Sequence, residues 1–288
     1  MSALLYQVKF VDREIPASKP FIKWVGGKRK VIPDLEYGIP RNIEHYYEPF
    51  VGGGAMFFHL RSQQRILDHQ ITLSDINLRL IRTYKAIRDN VEGVIDRLEH
   101  HKSKHCKDYY YAVRDLQVDS YKENVDVAAW FIYLNKTSFN GLYRVNKKNK
   151  FNAPIGSYKD PNICDEETLR CASSALQNVR IIHKFFDHMR HEAREGDFVY
   201  FDPPYVPVSV TSNFTSYTNQ GFGALEQTIL RDLASDLKVR NINIMLSNSD
   251  HPYVHELYQD FNIQTIKVGR AINSKGSKRG KVGEVVIT

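Results

Sequence analysis

An open α/β sheet interrupted by a helical module is the fold class the sequence predicts, and three observations predict it. Strand-like and helix-like runs alternate toward both ends of the chain. Between them, from about Asn77 to Cys164, lies a block of roughly 85 residues in which the only regular periods are helical. A glycine turn closes the first strand and a carboxylate ends the second, as in α/β sheets that bind a ligand at their carboxyl edge.

Taken in order, Tyr46 to Val51 reads as a short strand running into Gly52-Gly53-Gly54, and Ala55-Met56-Phe57-Phe58 opens a helix. Ile71 to Ser74 is a second strand ending at Asp75, after which Leu78, Ile81 and Tyr84 to Ile87 carry a helical period. Helices follow at Val91 to His101, Lys107 to Gln117 and Val125 to Leu134. Strand-like runs return at Val179–His183, Asp197–Asp202, Asn243–Ser247, Asn262–Val268 and Val282–Ile287. Helices are expected between them at Leu225–Lys238 and Pro252–Gln259. No repeat and no linker marks an independent second domain.

The 288 residues are 42% apolar, enough for a buried core, and 40 Lys+Arg against 33 Asp+Glu give a formal charge of +7. That excess is clustered. Lys19–Lys30, Asn135–Asp160 and Gln264–Thr288 each carry +5, which leaves the remainder at −8. Two of these segments, around Asn146–Lys150 and Ser274–Lys281, are turn-like and lack an apolar period. Basic loops of this kind can drape over phosphates; any single lysine-rich turn alone is better read as a solvated one, but three together shift the balance. The apolar run through Ala128–Leu134 is far short of a membrane span. Lys9, Asp12, Arg13 and Glu14 interrupt what a signal peptide would need to be apolar, so a cytoplasmic protein is expected. Cys106, Cys164 and Cys171 form no CxxC pair and read as free thiols, with no metal site expected.

The glycine turn and Asp75, about 20 residues apart, fit a backbone that approaches a nucleoside closely and an acid that meets its ribose hydroxyls. Neither GxGxxG nor GxxxxGK[ST] is present, which favours a nucleoside without a pyrophosphate. A plain turn with Asp75 capping the next helix would account for the same residues. Asp202-Pro203-Pro204-Tyr205 ends the apolar run Phe198–Phe201, and its two prolines make a rigid exit. A carboxylate, the Pro203 carbonyl and an aromatic ring then share one small space. Such a receptor suits a planar group with an exocyclic amine, such as an extruded nucleobase. A strand-terminating turn is the competing reading.

These segments, together with Phe21-Ile22-Lys23-Trp24-Val25-Gly26-Gly27-Lys28, Glu48-Pro49-Phe50-Val51-Gly52-Gly53-Gly54, Asp75-Ile76-Asn77 and Phe139-Asn140-Gly141-Leu142-Tyr143-Arg144-Val145-Asn146, occur in a family's order. The chain resembles the Dam-like DNA adenine-N6 methyltransferases of the alpha group, or D12 class, over nearly all of its length after residue 20. The resemblance implies a Rossmann-like, doubly wound mixed sheet, mostly parallel with one antiparallel strand. It assigns 1–77 and 165–288 to an S-adenosyl-L-methionine domain and 78–164 to a helical target-recognition domain. Trp24, Lys28, Glu48, Phe50, Gly52, Gly54, Asp75 and Asp202 would line the cofactor site. Asp202, Pro203 and Tyr205 would hold the target amine.

Phe139 would wedge into the base stack, Asn140 would hold the gap and Arg144 would read a guanine, with Leu142, Asn146, Pro154 and Tyr158 as further DNA contacts. Lys278 and Arg279 would meet phosphates, and Phe214–Tyr217 resembles the segment closing over the flipped base. Ser157 stands where many relatives carry Arg. The implied activity is methylation of adenine N6 in double-stranded DNA by a monomer, with GATC the implied site and a restriction endonuclease a functional partner of some such enzymes. Methylation of a cytosine ring carbon is excluded, because no cysteine follows a proline. Three readings compete with it: cytosine N4 methylation, protein-glutamine methylation, and DNA binding by a chain whose cofactor site has decayed.

Overall fold

The computed structural model describes residues 16–206, 222–269 and 281–288. Seven strands form one sheet in the order β3-β2-β1-β4-β5-β7-β6. They are β1 (Tyr46–Glu48), β2 (Ile71–Asp75), β3 (Arg180–His183), β4 (Phe198–Phe201), β5 (Asn243–Ser249), β6 (Ile263–Gly269) and β7 (Lys281–Ile287). The first five run parallel, and β7 is antiparallel to both of its neighbours, β5 and β6. The mixed, mostly parallel sheet expected from the sequence is therefore present. β1 ends at Glu48 rather than continuing to Val51, because Pro49 has no N–H to donate to a ladder.

Strand order reverses beside β1: the chain steps outward to β2 and β3, then returns to place β4 on the other side of β1. The carboxyl ends of β1 and β4 meet at this switch point, where open α/β sheets form their ligand crevice.

Both faces of the sheet are covered, and strand side chains alternate between two cores. Phe198 and Tyr200 of β4 join one cluster, and Val199 and Phe201 the other. On the first face lie α2 (Ala55–Ser62), α3 (Leu78–Asp89) and α7 (Glu166–Leu176). On the second lie α8 (Met189–Glu192), α9 (Ala224–Val239) and α10 (Pro252–Leu257). A single turn, α1 (Ile32–Leu35), precedes β1.

The inserted block holds α4 (Val91–Ser103), α5 (Lys107–Arg114) and α6 (Asn124–Thr137). Every residue of α6 from Val127 to Asn135 is buried, as expected of a helix apolar on all sides. It packs against α3, α4 and α5, while α3 also rests on β2 and β3. Trp130 and Phe131 consequently share one cluster with Leu73 and Tyr84, and the block has no separate core.

Helix α7 was not among the elements predicted. Asp165 caps it by accepting from the Thr168 N–H at 3.2 Å, and Glu166 and Glu167 fill its first turn. Its amphipathic period begins only at Leu169, behind that acidic start. Arg61 of α2, 2% exposed, ties α2 to α7 by donating to the carbonyls of Ala175 (3.2 Å) and Ile66 (3.0 Å), and it pairs with Asp68. Replacing Arg61 with Met leaves both carbonyls buried without donors, and a loss of about 2–4 kcal/mol is expected by denaturant unfolding.

Candidate active site

The turn after β1 is set by the space beneath Trp24. Gly52 (φ +44°) and Gly54 (φ +67°) adopt left-handed backbone, and a Cβ on Gly52 would lie 2.6 Å from Trp24 Cδ1. The Tyr84 hydroxyl donates to the Gly52 carbonyl at 3.1 Å, and the Asp75 carboxylate accepts from the Gly52 N–H at 3.2 Å. Asp75 also accepts from the Asn77 N–H at 2.9 Å. The helix cap is Asn77, whose side chain accepts from the Leu80 N–H, so the alternative in which Asp75 caps α3 is not what forms. Burial raises the Asp75 carboxyl to about 6, against backbone N–H groups of Asn77, Gly52 and Ile76 that hold it down. It stands half-buried beside two exposed apolar side chains, Ile76 and Leu78.

Glu48, 2% exposed, accepts from the Tyr46 hydroxyl at 2.7 Å and the Phe57 N–H at 3.1 Å. Burial pushes it up to about 8; those hydrogen bonds oppose the rise and the Asp202 charge adds to it. Phe50 stacks on Phe186 at 5.2 Å and meets Phe222 edge-on, forming an aromatic floor on the second face.

After β4, the Asp202–Tyr205 exit is braced from below. Gln227 of α9 donates to the Pro204 carbonyl at 3.0 Å, and Asn248 of β5 accepts from the Val206 N–H at 3.3 Å. Asn248 in turn donates to Gln227 at 3.1 Å, and the Ser249 hydroxyl bonds the Val206 carbonyl at 2.6 Å. These buried polar side chains hold a loop whose prolines cannot donate.

Lys28 was expected at the site, and the structure buries it to 2% exposure. The short 3-10 turn Lys28–Lys30, entered through Gly26 (φ +79°), aims the side chain inward. Its ammonium lies 2.9 Å from Asp202 Oδ1, donates to the Gly26 carbonyl and sits 4.6 Å from the Tyr205 ring centroid. Lys28, part of the first basic segment, is therefore not free to meet phosphate: its charge is spent on Asp202. Despite this partner, burial raises the Asp202 carboxyl above the usual range. A further carboxylate that the sequence reading did not single out, Glu284 of β7, accepts from the Tyr205 hydroxyl at 3.3 Å.

The helical block reaches this site through the same N-terminal segment. Trp24 stacks in series with Tyr143 (5.8 Å) and Phe131 (6.2 Å). Asn135, 1% exposed, accepts from the Lys23 N–H at 2.9 Å and donates to the carbonyls of Lys23 (2.8 Å) and Gly141 (3.0 Å). It clasps the segment to the turn Phe139–Gly141, where Asn140 and Gly141 both have positive φ. The only sequence signal for this role is an amide ending an otherwise apolar helix.

Phe139, Asn140, Arg144, Asn146, Pro154 and Tyr158 are exposed on this side and Leu142 is half-buried. Arg144 donates to Asn152 Oδ1 (2.7 Å) and to its carbonyl (2.8 Å), which fixes the guanidinium plane. Asn146 accepts from the N–H groups of Lys148 and Lys150, so its oxygen builds the turn rather than facing outward. Lys23 lies over the Tyr158 ring at 5.2 Å. Lys278, Arg279 and Phe214–Tyr217 lie outside the described residues.

Glu48 gives a measurable consequence. Its folded-state value of about 8 exceeds the ordinary 4.5, so the neutral form stabilises the fold; that contribution is full below about pH 4.5 and disappears as pH rises through about 8. Glu48→Gln keeps an acceptor for Tyr46 and Phe57 without the ionisation. The difference in melting temperature, variant minus parent, should therefore rise between pH 6 and 9, and a flat difference would show that Glu48 titrates normally.

Comparison with known proteins places these residues in a family context. The family described as D12 class N6 adenine-specific DNA methyltransferase matches residues 24–272. The chain is 44% identical to the type II methyltransferase M1.LlaDCHI of Lactococcus lactis subsp. cremoris over 94% of this chain and 95% of that protein. It is 40% identical to the type II methyltransferase M.MjaIII of Methanocaldococcus jannaschii over 91% and 95%. It is also 32% identical to the DNA adenine methylase of Escherichia coli K12 over 93% and 94%. With a switch-point crevice, an Asp-Pro-Pro-Tyr exit and this extent of similarity, the chain belongs to the D12 class of N6 adenine-specific DNA methyltransferases.

Proposed function

We propose that the chain transfers a methyl group from S-adenosyl-L-methionine to the N6 amine of an adenine flipped out of double-stranded DNA, with GATC as the target site. The observation that carries this reading is the placement of Asp202, the Pro203 carbonyl and the Tyr205 ring at the switch point, beside the glycine turn and Asp75. Support for GATC comes from the Phe139–Tyr158 block and from similarity to proteins named DNA adenine methylase. Similarity to proteins named type II methyltransferases supports pairing with a restriction endonuclease.

The residues present fit the cofactor. Asp75 beside the apolar Ile76 and Leu78 suits a ribose with its base, and Trp24, Phe50, Gly52 and Gly54 would shape the wall. Around the reacting centre, the carboxylates of Asp202 and Glu284 both act on the Lys28 ammonium, a balance that favours a cation. When bound, the cofactor supplies an electrophilic methyl group on a sulfonium. Asp202 and the Pro203 carbonyl would accept the amine hydrogens and turn its lone pair toward that methyl, while the Tyr205 ring carries the base by stacking. Because burial raises its proton affinity, the Asp202 carboxylate is also suited to take the proton the amine releases.

Residues 78–164 would form the target-recognition region and 1–77 with 165–288 the catalytic domain, with α3 packed on both. Phe139 would fill the space the base vacates, Asn140 would hold that gap and Arg144 would read a guanine. Lys278 and Arg279 would contact phosphates.

Asp202→Ala is expected to abolish methyl transfer in a radiolabel assay while DNA binding persists, and to lower the melting temperature because Lys28 loses its partner. Adding Lys28→Met should restore the melting temperature and leave transfer abolished; recovered transfer would overturn the role of Asp202. Mapping modified bases in treated plasmid should find N6-methyladenine in GATC, and modified cytosine would refute the reading. Arg144→Ala should relax discrimination at one guanine by roughly 1–3 kcal/mol, read as the ratio of kcat/KM on matched and single-mismatch duplexes.

A further inference from the structure

The reversed direction of β7 has a chemical result at the site. In a parallel strand, the residue at the carboxyl edge of the sheet is the last one; in β7 it is among the first. Glu284 pairs with Ser249 at the carboxyl end of β5 and with Ile266 of β6, so its side chain arrives at the edge that Asp202 occupies. The approach is registered tightly: the Asp250 N–H donates to the Gly283 carbonyl at 3.0 Å, and any side chain at 283 would collide with Asp250. Glu284 is also the one acid in the run Val282–Ile287. An isolated carboxylate in an interior strand is costly and needs partners.

Its partner is the Tyr205 hydroxyl at 3.3 Å. That hydroxyl also lies within reach of the Asp202 charge, and both carboxylates act on the Lys28 ammonium. Tyr205 thus has two carboxylates competing for one O–H, while Lys28 lies against its ring at 4.6 Å. If the hydroxyl turned to Asp202, it would consume acceptor capacity that the incoming amine needs.

Resting on the pocket reading above, we propose that Glu284 is a positioning residue for methyl transfer: it captures the Tyr205 hydroxyl, fixes the stacking ring and leaves the Asp202 carboxylate to the adenine amine. Glu284 touches neither substrate nor methyl donor in this role; it acts through Tyr205.

The test is a double-mutant cycle on single-turnover methyl-transfer rates with duplex DNA and S-adenosyl-L-methionine, a readout that counts only folded, DNA-bound enzyme. Glu284→Met keeps the side-chain length and removes the acceptor, and about a tenfold slower transfer is expected. Glu284→Gln keeps an acceptor without charge and should stay within about threefold of the parent. Tyr205→Phe removes the hydroxyl, and adding Glu284→Met to it should slow transfer no further. A parental rate in Glu284→Met, a Glu284→Gln as slow as Glu284→Met, or multiplicative effects in the double variant would each overturn the proposal. Asp202→Ala in the same series separates the two levels of inference. Full transfer in that variant defeats the pocket reading itself, whereas its inactivity beside a fully active Glu284→Met defeats the role of Glu284 alone.

Discussion

A single buried ammonium organises this protein's catalytic edge. Lys28 can be 2% exposed only because Asp202, the Gly26 carbonyl and the Tyr205 ring replace its water. Meeting those partners pins the residues just before it across the crevice. Trp24 is thereby laid over Gly52, which is why that position admits no side chain, and Lys23 is brought to Asn135. The crevice roof, the glycine turn and the turn Phe139–Gly141 all take their places from one short segment whose inner end is an ion pair.

The same pair explains the charge distribution. The chain is basic overall, yet in its crevice the carboxylates of Asp202 and Glu284 share the Lys28 ammonium, and Glu48 is buried within range of Asp202. A polyanion is attracted to the outer basic segments, whereas a phosphate is disfavoured beside the buried carboxylates of the crevice.

Much of the frame was legible in the sequence. Strand β4 was readable because a fully buried strand must be apolar on both faces, and Asp75 and Asp202 because each stands at the end of a strand-like run. Less legible were features that depend on contacts distant in the chain. Lys28 was placed at the site by resemblance alone; its burial follows from Asp202, far along the sequence. Asn248 and Gln227 brace the proline exit from a strand and a helix with no local motif. Glu284 carried a weak signal, a lone acid in an apolar strand, but its meaning required the antiparallel register that brings it to Tyr205. Local capping misled in one place, since Asp75 and Asn77 are both good caps and only geometry shows that Asn77 does the capping.

The Asn135 clasp also bears on how such enzymes diversify. It bonds only backbone atoms of Lys23 and Gly141, so it places no demand on the side chains that follow. The exposed residues from Arg144 to Tyr158 stand downstream of the clasp, outside the aromatic series of Trp24, Tyr143 and Phe131. Substitutions in that surface leave the backbone clasp in place, so the clasp acts as a seam between the exposed residues and the crevice.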